Sequence, residues 1–137
     1  MATRYSGGCA CGRVRYEIEG EPHRMITCHC RDCQRASGSA FAPVMAFDRK
    51  AVKLTGELKY FAVTSERGNP MERGFCPNCG SPVAIQAPAR PEALYIQAGS
   101  LDDPSLFKPT AQIWTRSASD WHPIDPRIPH FDTRPPG

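Results

Sequence analysis

Seven cysteines fall into three tight groups: Cys9-x-Cys11, Cys28-x-Cys30-x-x-Cys33 and Cys76-x-x-Cys79. Disulfides fit this pattern poorly, because an odd count leaves one thiol over and bridging residues two apart strains disulfide geometry. Metal binding explains the spacing directly. Zinc takes four tetrahedral ligands, and a tight turn can aim two nearby thiolates at one point. Phe75-Cys76-Pro77-Asn78-Cys79-Gly80 has the form of a zinc knuckle, with Pro and Gly shaping a turn whose amides can point at the sulfurs. Cys9-Ala10-Cys11-Gly12 is its natural complement: in an extended segment its two side chains leave one face, and Gly12 lets the chain turn afterwards. Together, Cys9, Cys11, Cys76 and Cys79 make a closed four-thiolate site that joins the two halves of the sequence. Spacing alone leaves zinc and iron both open.

Cys28, Cys30 and Cys33 remain as a group of three. Three protein ligands and one vacancy is the arithmetic of a reactive zinc site. Two alternatives stay open. A histidine from elsewhere (His23, His122 or His130) could close the site, or Cys33 could be a metal-free nucleophile with a histidine as base. His29 is a poor ligand candidate, since alternation sends it away from its flanking cysteines. Three thiolates on Zn²⁺ leave a net negative complex, a weaker Lewis acid than zinc held by imidazoles. Such a centre suits capture of an incoming thiol, whose pKa it lowers, ahead of water activation for hydrolysis.

The elements that must position these thiols read as mainly β. Val14, Tyr16 and Ile18 alternate with charged residues from Arg13 to Glu19, a strand with one wet face. Phe41 to Phe47 is almost wholly apolar and reads as a strand covered on both faces, with Pro43 hinting at an edge or bulge. Val52 and Leu54, then Leu58 and Tyr60, flank Thr55-Gly56-Glu57 and predict a hairpin. Leu94, Ile96 and Ala98 alternate less cleanly, and short strands fit Met25–Cys28, Met71–Phe75, Pro82–Gln86 and Ala111–Thr115. One brief helix fits Arg31 to Ser37, stopped by Gly38. Loops are expected at Ser65–Pro70, Pro88–Pro91, Asp102–Pro104 and in a proline-rich tail from about Pro123.

A chain of 137 residues suits one domain over 1–137. No apolar leader precedes Gly7-Gly8-Cys9 and no stretch approaches a membrane span, so the expected location is the cytoplasm, where thiols stay reduced. The formal charge of +3 is far from the basic stripe of a nucleic-acid binder, and no nucleic-acid or membrane partner is expected.

Three stretches carry a family resemblance: Gly7-Gly8-Cys9-Ala10-Cys11-Gly12-Arg13-Val14-Arg15-Tyr16, Cys28-His29-Cys30-Arg31-Asp32-Cys33-Gln34-Arg35-Ala36-Ser37-Gly38 and Phe75-Cys76-Pro77-Asn78-Cys79-Gly80-Ser81. They resemble the glutathione-dependent formaldehyde-activating family, also called the centromere-protein-V/GFA domain. The likeness continues through Ala98–Pro104 and ends near Trp121 and Pro129-His130-Phe131. It implies a fold of small antiparallel sheets stapled by zinc. It also implies two zinc ions per chain, a structural one at Cys9, Cys11, Cys76 and Cys79 and a reactive one at Cys28, Cys30 and Cys33. The implied activity is that of a carbon–sulfur lyase, joining glutathione to formaldehyde as S-hydroxymethylglutathione.

Candidate contacts for a small anionic thiol are Arg31, Arg35 and Arg116 for its carboxylates, Gln34, Ser37 and Ser39 beside the open site, and Trp114 and Trp121 as pocket walls. Each has a plainer reading: solvated arginines, a helix end at Ser37-Gly38, tryptophans in the core. The competing function is a non-catalytic zinc scaffold, which needs only the fold.

Overall fold

The computed structural model describes residues 3–65 and 68–134. The expected loop at Ser65–Pro70 and the proline-rich tail each run partly outside these residues. In chain order the strands are β1 (Arg4–Gly8), β2 (Arg15–Glu19), β3 (Arg24–Cys28), β4 (Ala42–Asp48), β5 (Val52–Thr55), β6 (Lys59–Thr64), β7 (Pro70–Phe75), β8 (Pro82–Gln86), β9 (Ala93–Gln97) and β10 (Ala111–Ile113). The helix α1 (Arg31–Ser37) lies between β3 and β4. No helix among the described residues is long and apolar enough to cross a membrane.

The strands form two sheets, one ordered β1-β2-β5 and one ordered β10-β3-β4-β9-β8-β7-β6. The expected mainly-β fold with one short helix and antiparallel pairing holds, and β10 alone pairs parallel, to β3. The small sheet packs its buried row, Tyr5, Tyr16 and Ile18, onto Met45, Phe47, Leu94 and Ile96 of the large one. Fully burying an aliphatic or aromatic side chain contributes about 1.5–3 kcal/mol, so this seam holds the sheets together. Alternation along β4 sends Met45 and Phe47 to the seam and Val44 to a second apolar cluster, with Ile26, Cys28, Tyr95 and Ile113, on the opposite face. Each face of the large sheet therefore has its own core and its own cysteines.

The predicted hairpin of Val52–Leu54 with Leu58–Tyr60 does not form. The turn is real, but β5 pairs with β2 while β6 pairs with β7 in the other sheet. Gly56, at φ 91°, sits so close to the carbonyl of Arg13 that a Cβ there would meet it at 2.2 Å. That approach locks the turn against the small sheet and sends the chain on to the large one.

β1 carries no strand signal in the sequence, because Arg-Tyr-Ser-Gly-Gly shows no apolar alternation. Its glycines serve close packing instead: a Cβ on Gly7 would lie 2.2 Å from the Ser100 carbonyl and 2.4 Å from the Tyr16 hydroxyl. β4 is central and buried as expected, and Pro43 is flanked by β3 alone, since the ladder to β9 begins at Val44. The strand after Ala111 stops at Ile113, because Trp114 takes left-handed geometry at φ 58°. Ala98, expected at the end of a strand, begins a turn of 3-10 helix at Ala98–Ser100.

The described part of the tail is docked rather than loose. The buried Gln112 side chain donates to the carbonyls of Asp125 and Ile128 and accepts from the amide of Asp125. Backbone bonds between Gln112 and the Pro129–Phe131 segment then lay the tail along β10.

Candidate metal centres

The β1–β2 turn and the loop after β7 meet at the seam and bring four thiols together. The sulfurs of Cys9, Cys11, Cys76 and Cys79 all lie within 4.8 Å of one another. Cys9 and Cys11 are 3.6 Å apart, and Cys11 and Cys76 are 3.7 Å apart. A tetrahedral ion with zinc–sulfur bonds of about 2.3 Å requires sulfur separations of about 3.8 Å, so the donor set fits zinc. Cys9 and Cys11 sit in a turn closed from Gly12 N–H to the Cys9 carbonyl, not in the extended segment expected. The turn converges the two sulfurs more tightly than alternation would.

Backbone amides point at the sulfurs as the knuckle reading expects. Val14 N–H donates to Cys9 Sγ at 3.3 Å, and the amides of Asn78 and Cys79 donate to Cys76 Sγ at 3.4 and 3.5 Å. The loop closes from Cys76 N–H to the Ser81 carbonyl and from Gly80 N–H to the Cys76 carbonyl. Ser81 ties the halves together: its hydroxyl contacts Cys79 Sγ at 3.3 Å and accepts from the amide of Ala10. Hydrogen bonds from Ser81, and then from the Cys11 backbone, draw the Cys79 thiol down to about 5. Such donors favour the thiolate a metal needs.

The second group lies on the other face of the large sheet. Cys28 ends β3, Cys30 caps α1 and Cys33 sits in its first turn. Their sulfurs also lie within 4.8 Å of one another, and among the described residues no histidine or carboxylate joins them. The helix supports the site locally, because Cys30 Sγ accepts from Cys33 N–H at 3.3 Å as the N-cap. At its other end Gly38, at φ 66°, sends its N–H back to the Gln34 carbonyl, so the helix stops where the sequence predicts.

The three thiols share protons unequally. Hydrogen bonds from Cys28 and Cys33, aided by the Arg73 charge, hold Cys30 low, at about 2. The same bonds push Cys28 up. Cys33 is pulled down by Cys28, but Cys30 and burial raise it on balance to about 11. A bound divalent cation removes this competition, since a coordinating thiol is deprotonated outright.

The histidines stand apart. His29 is buried facing away from the sulfurs, its Nε2 3.2 Å from Thr27 Oγ1 and its ring packed on Phe41. His122 stacks on the other side of Phe41 and His130 bridges to Gln112, while His23 lines the cavity described next.

A cavity of about 640 Å³ opens onto the three thiols, a size suited to a small organic ligand. Ile26, Val44, Tyr95, Ile113 and Trp114 wall it near the sulfurs, with charged groups such as Arg24, Lys50 and Glu92 elsewhere on its lining. Trp114 is thus a pocket wall. Trp121 lies outside the cavity lining and is 72% exposed.

Other expected contacts have different work. Gln34 is buried and donates to the carbonyls of His29 and Ser117, while Arg31 donates to its oxygen. Ser37 donates to the Phe41 carbonyl and accepts from the amide of Ser39, a helix-end role. Arg116 lies over the Trp114 ring at 5.0 Å. Arg35, in the last turn of α1, is absent from the cavity lining.

One residue escaped the sequence reading. Arg73 reaches from β7 to donate to Cys33 Sγ at 3.6 Å. In a strand read by alternation an arginine looks like a solvent-facing residue, and nothing near it in sequence points to a thiol forty residues away.

Comparison with known proteins is consistent with this geometry. The family model described as glutathione-dependent formaldehyde-activating enzyme matches residues 4–117. A Halomonas elongata protein, whose name assigns it provisionally as a glutathione-dependent formaldehyde-activating enzyme, is 27% identical over 128 residues. That alignment covers 88% of this chain and 81% of the relative. The crystal structure of a Rhodobacter sphaeroides protein shares the fold at a TM-score of 0.57 and 19% identity, covering 92% of this chain and 99% of that one.

Proposed function

The chain belongs to the glutathione-dependent formaldehyde-activating family, and from that premise we propose that it joins a small thiol, glutathione first, to a small aldehyde, formaldehyde first. The product is an S-hydroxymethyl thiol, so the activity in the reverse sense is that of a carbon–sulfur lyase. The observation that carries this reading is the pairing of an incomplete ligand set, Cys28, Cys30 and Cys33, with a cavity that opens onto it. In this assignment Cys9, Cys11, Cys76 and Cys79 hold a structural zinc, and the three cavity-facing cysteines hold a reactive one. Zinc there would supply a Lewis acid with one position left for a thiol, whose pKa it lowers.

The protein's own residues supply position and exclusion. The end of β3 and the cap of α1 fix the three sulfurs, and Gln34 clamps the helix to the chain at His29 and Ser117. The apolar wall of Ile26, Val44, Ile113 and Trp114 keeps water sparse around the reacting sulfur. In the reaction the thiol gives its proton to solvent and its sulfur lone pair forms the new C–S bond. The carbonyl π pair moves to oxygen, which takes a proton from solvent. Nothing is oxidised or reduced.

A zinc-binding module without catalysis is the second reading, favoured by the structural engagement of Gln34 and Ser37, which removes two of the expected substrate contacts. Elemental analysis of reduced protein, repeated after glutathione titration and desalting, separates the two. Two zincs falling towards one supports an open, thiol-accessible site. Two zincs indifferent to glutathione would argue for another thiol or for the module.

A further inference from the structure

Arg73 is a half-buried cation on the cavity lining, and no carboxylate answers it. Its Nε and NH1 atoms are buried without a hydrogen-bond partner, and its NH2 donates only to Cys33 Sγ. No carboxylate among the described residues pairs with it; Asp102 and Asp125, for example, pair with Arg15 and Arg127. Glu72, its neighbour in β7, is engaged by Gln86. A guanidinium with two nitrogens shut from solvent and no carboxylate partner is unfavourable unless a neighbouring group supplies a compensating charge. The sulfurs of Cys28, Cys30 and Cys33 can supply it. Three thiolates around a divalent ion leave one net negative charge, and one guanidinium cancels it.

We propose that Arg73 is the built-in counter-charge of the three-cysteine site, making the loaded centre electrically neutral and thereby raising its affinity both for the metal and for an incoming anionic sulfur. The proposal rests on the reading of Cys28, Cys30 and Cys33 as metal ligands. Arg73 is a positioning residue here, acting through its hydrogen bond to Cys33. A neutral centre accepts a fourth thiolate at lower electrostatic cost than a negative one, the more so where the wall excludes water. The four-thiol site needs no such device. Cys11 and Cys79 are exposed, and the nearby Arg15 is already paired with Asp102.

Arg73→Met and Arg73→Lys, compared with wild type, test the idea by zinc competition against a chromogenic chelator and by cobalt substitution, whose thiolate charge-transfer band counts sulfur ligands. In Arg73→Met the second site should lose roughly tenfold or more in zinc affinity, the scale of an opposite charge removed from within a few ångströms. The first site should be unchanged. Arg73→Lys keeps the charge and should stay within about threefold of wild type, a rescue that shape alone would not produce. Should Arg73→Met fail to fold, Arg73→Gln, neutral and polar, carries the same comparison. Wild-type affinity in the neutral variant would overturn the proposal, as would Arg73→Lys losing as much as Arg73→Met. A wild-type protein that takes up a single metal would sink the ligand reading and this inference with it, whereas two metals with an indifferent Arg73 would sink the inference alone.

Discussion

The two cysteine groups are built from the same donor and do opposite things to the architecture. Cys9, Cys11, Cys76 and Cys79 come from two turns in different sheets, so closing their site crosslinks the sheets at the seam. Cys28, Cys30 and Cys33 come from one strand end and the helix that follows, so their site crosslinks little beyond what the chain already holds. Exposure runs against the simple expectation that a structural site is the deeper one. Two of the four seam cysteines are exposed, while Cys28 and Cys33 are buried at the edge of a cavity. The two groups differ in the number of sulfurs brought together and in the space beside them, and under the proposed assignment those differences, not depth, would separate a staple from a reactive centre.

Cys79→Ser should break the comparison at its strong end. Structural zinc contributes roughly 10–16 kcal/mol of apparent binding energy in small zinc domains, which matches or exceeds the 5–15 kcal/mol stability of a typical domain. The expected outcome is loss of the cooperative thermal transition, read by circular dichroism. If Cys79→Ser melts like wild type, the seam does not depend on metal.

Gly7→Ala comes next, because it attacks the same seam without touching a thiol. A Cβ there collides with the Ser100 carbonyl and the Tyr16 ring, and the expected cost is about 2–4 kcal/mol, at the upper end of single substitutions. Urea denaturation measures it. Metal content should stay at the wild-type value, which distinguishes stapling by packing from stapling by zinc.

Cys33→Ser should lose the second metal yet remain folded, with a stability change of about 1–2 kcal/mol, an ordinary value for a point mutation. Elemental analysis paired with a thermal melt reads both effects. Equal unfolding of Cys33→Ser and Cys79→Ser would abolish the distinction between the sites.

The smallest effect is expected at Asp102→Asn, on the rim of the seam. Hydrogen bonds from Arg15 and then Ser6 hold the Asp102 carboxyl at about 2, below its ordinary 3.8. A depressed carboxylate contributes stability above its unfolded value and loses it as pH falls through the folded one. The melting temperature of the variant should therefore trail wild type slightly at neutral pH, and the gap should narrow as pH drops from about 3.8 towards about 2. Both side chains are largely exposed, so a gap of many degrees would contradict the assignment.

Much of this molecule is legible in its sequence because the relevant signals are local. The three tight cysteine clusters, the helix from Arg31 to Ser37 and the faces of β2 and β4 all follow from short-range spacing. Thiolate geometry and strand alternation operate over a few residues. The remainder depends on partners far away in the chain. Nothing near Gly56 says that β5 and β6 part company, since the choice is made by the Arg13 carbonyl across the small sheet. Gln34 reads as a free amide until the Ser117 carbonyl takes it. Arg73 reads as an exposed strand residue until the fold brings its guanidinium within reach of Cys33. Composition and spacing determined which cysteines cluster locally and which way the strand residues face, while tertiary structure decided what they meet, because burial and electrostatic pairing exist only once distant segments share a surface.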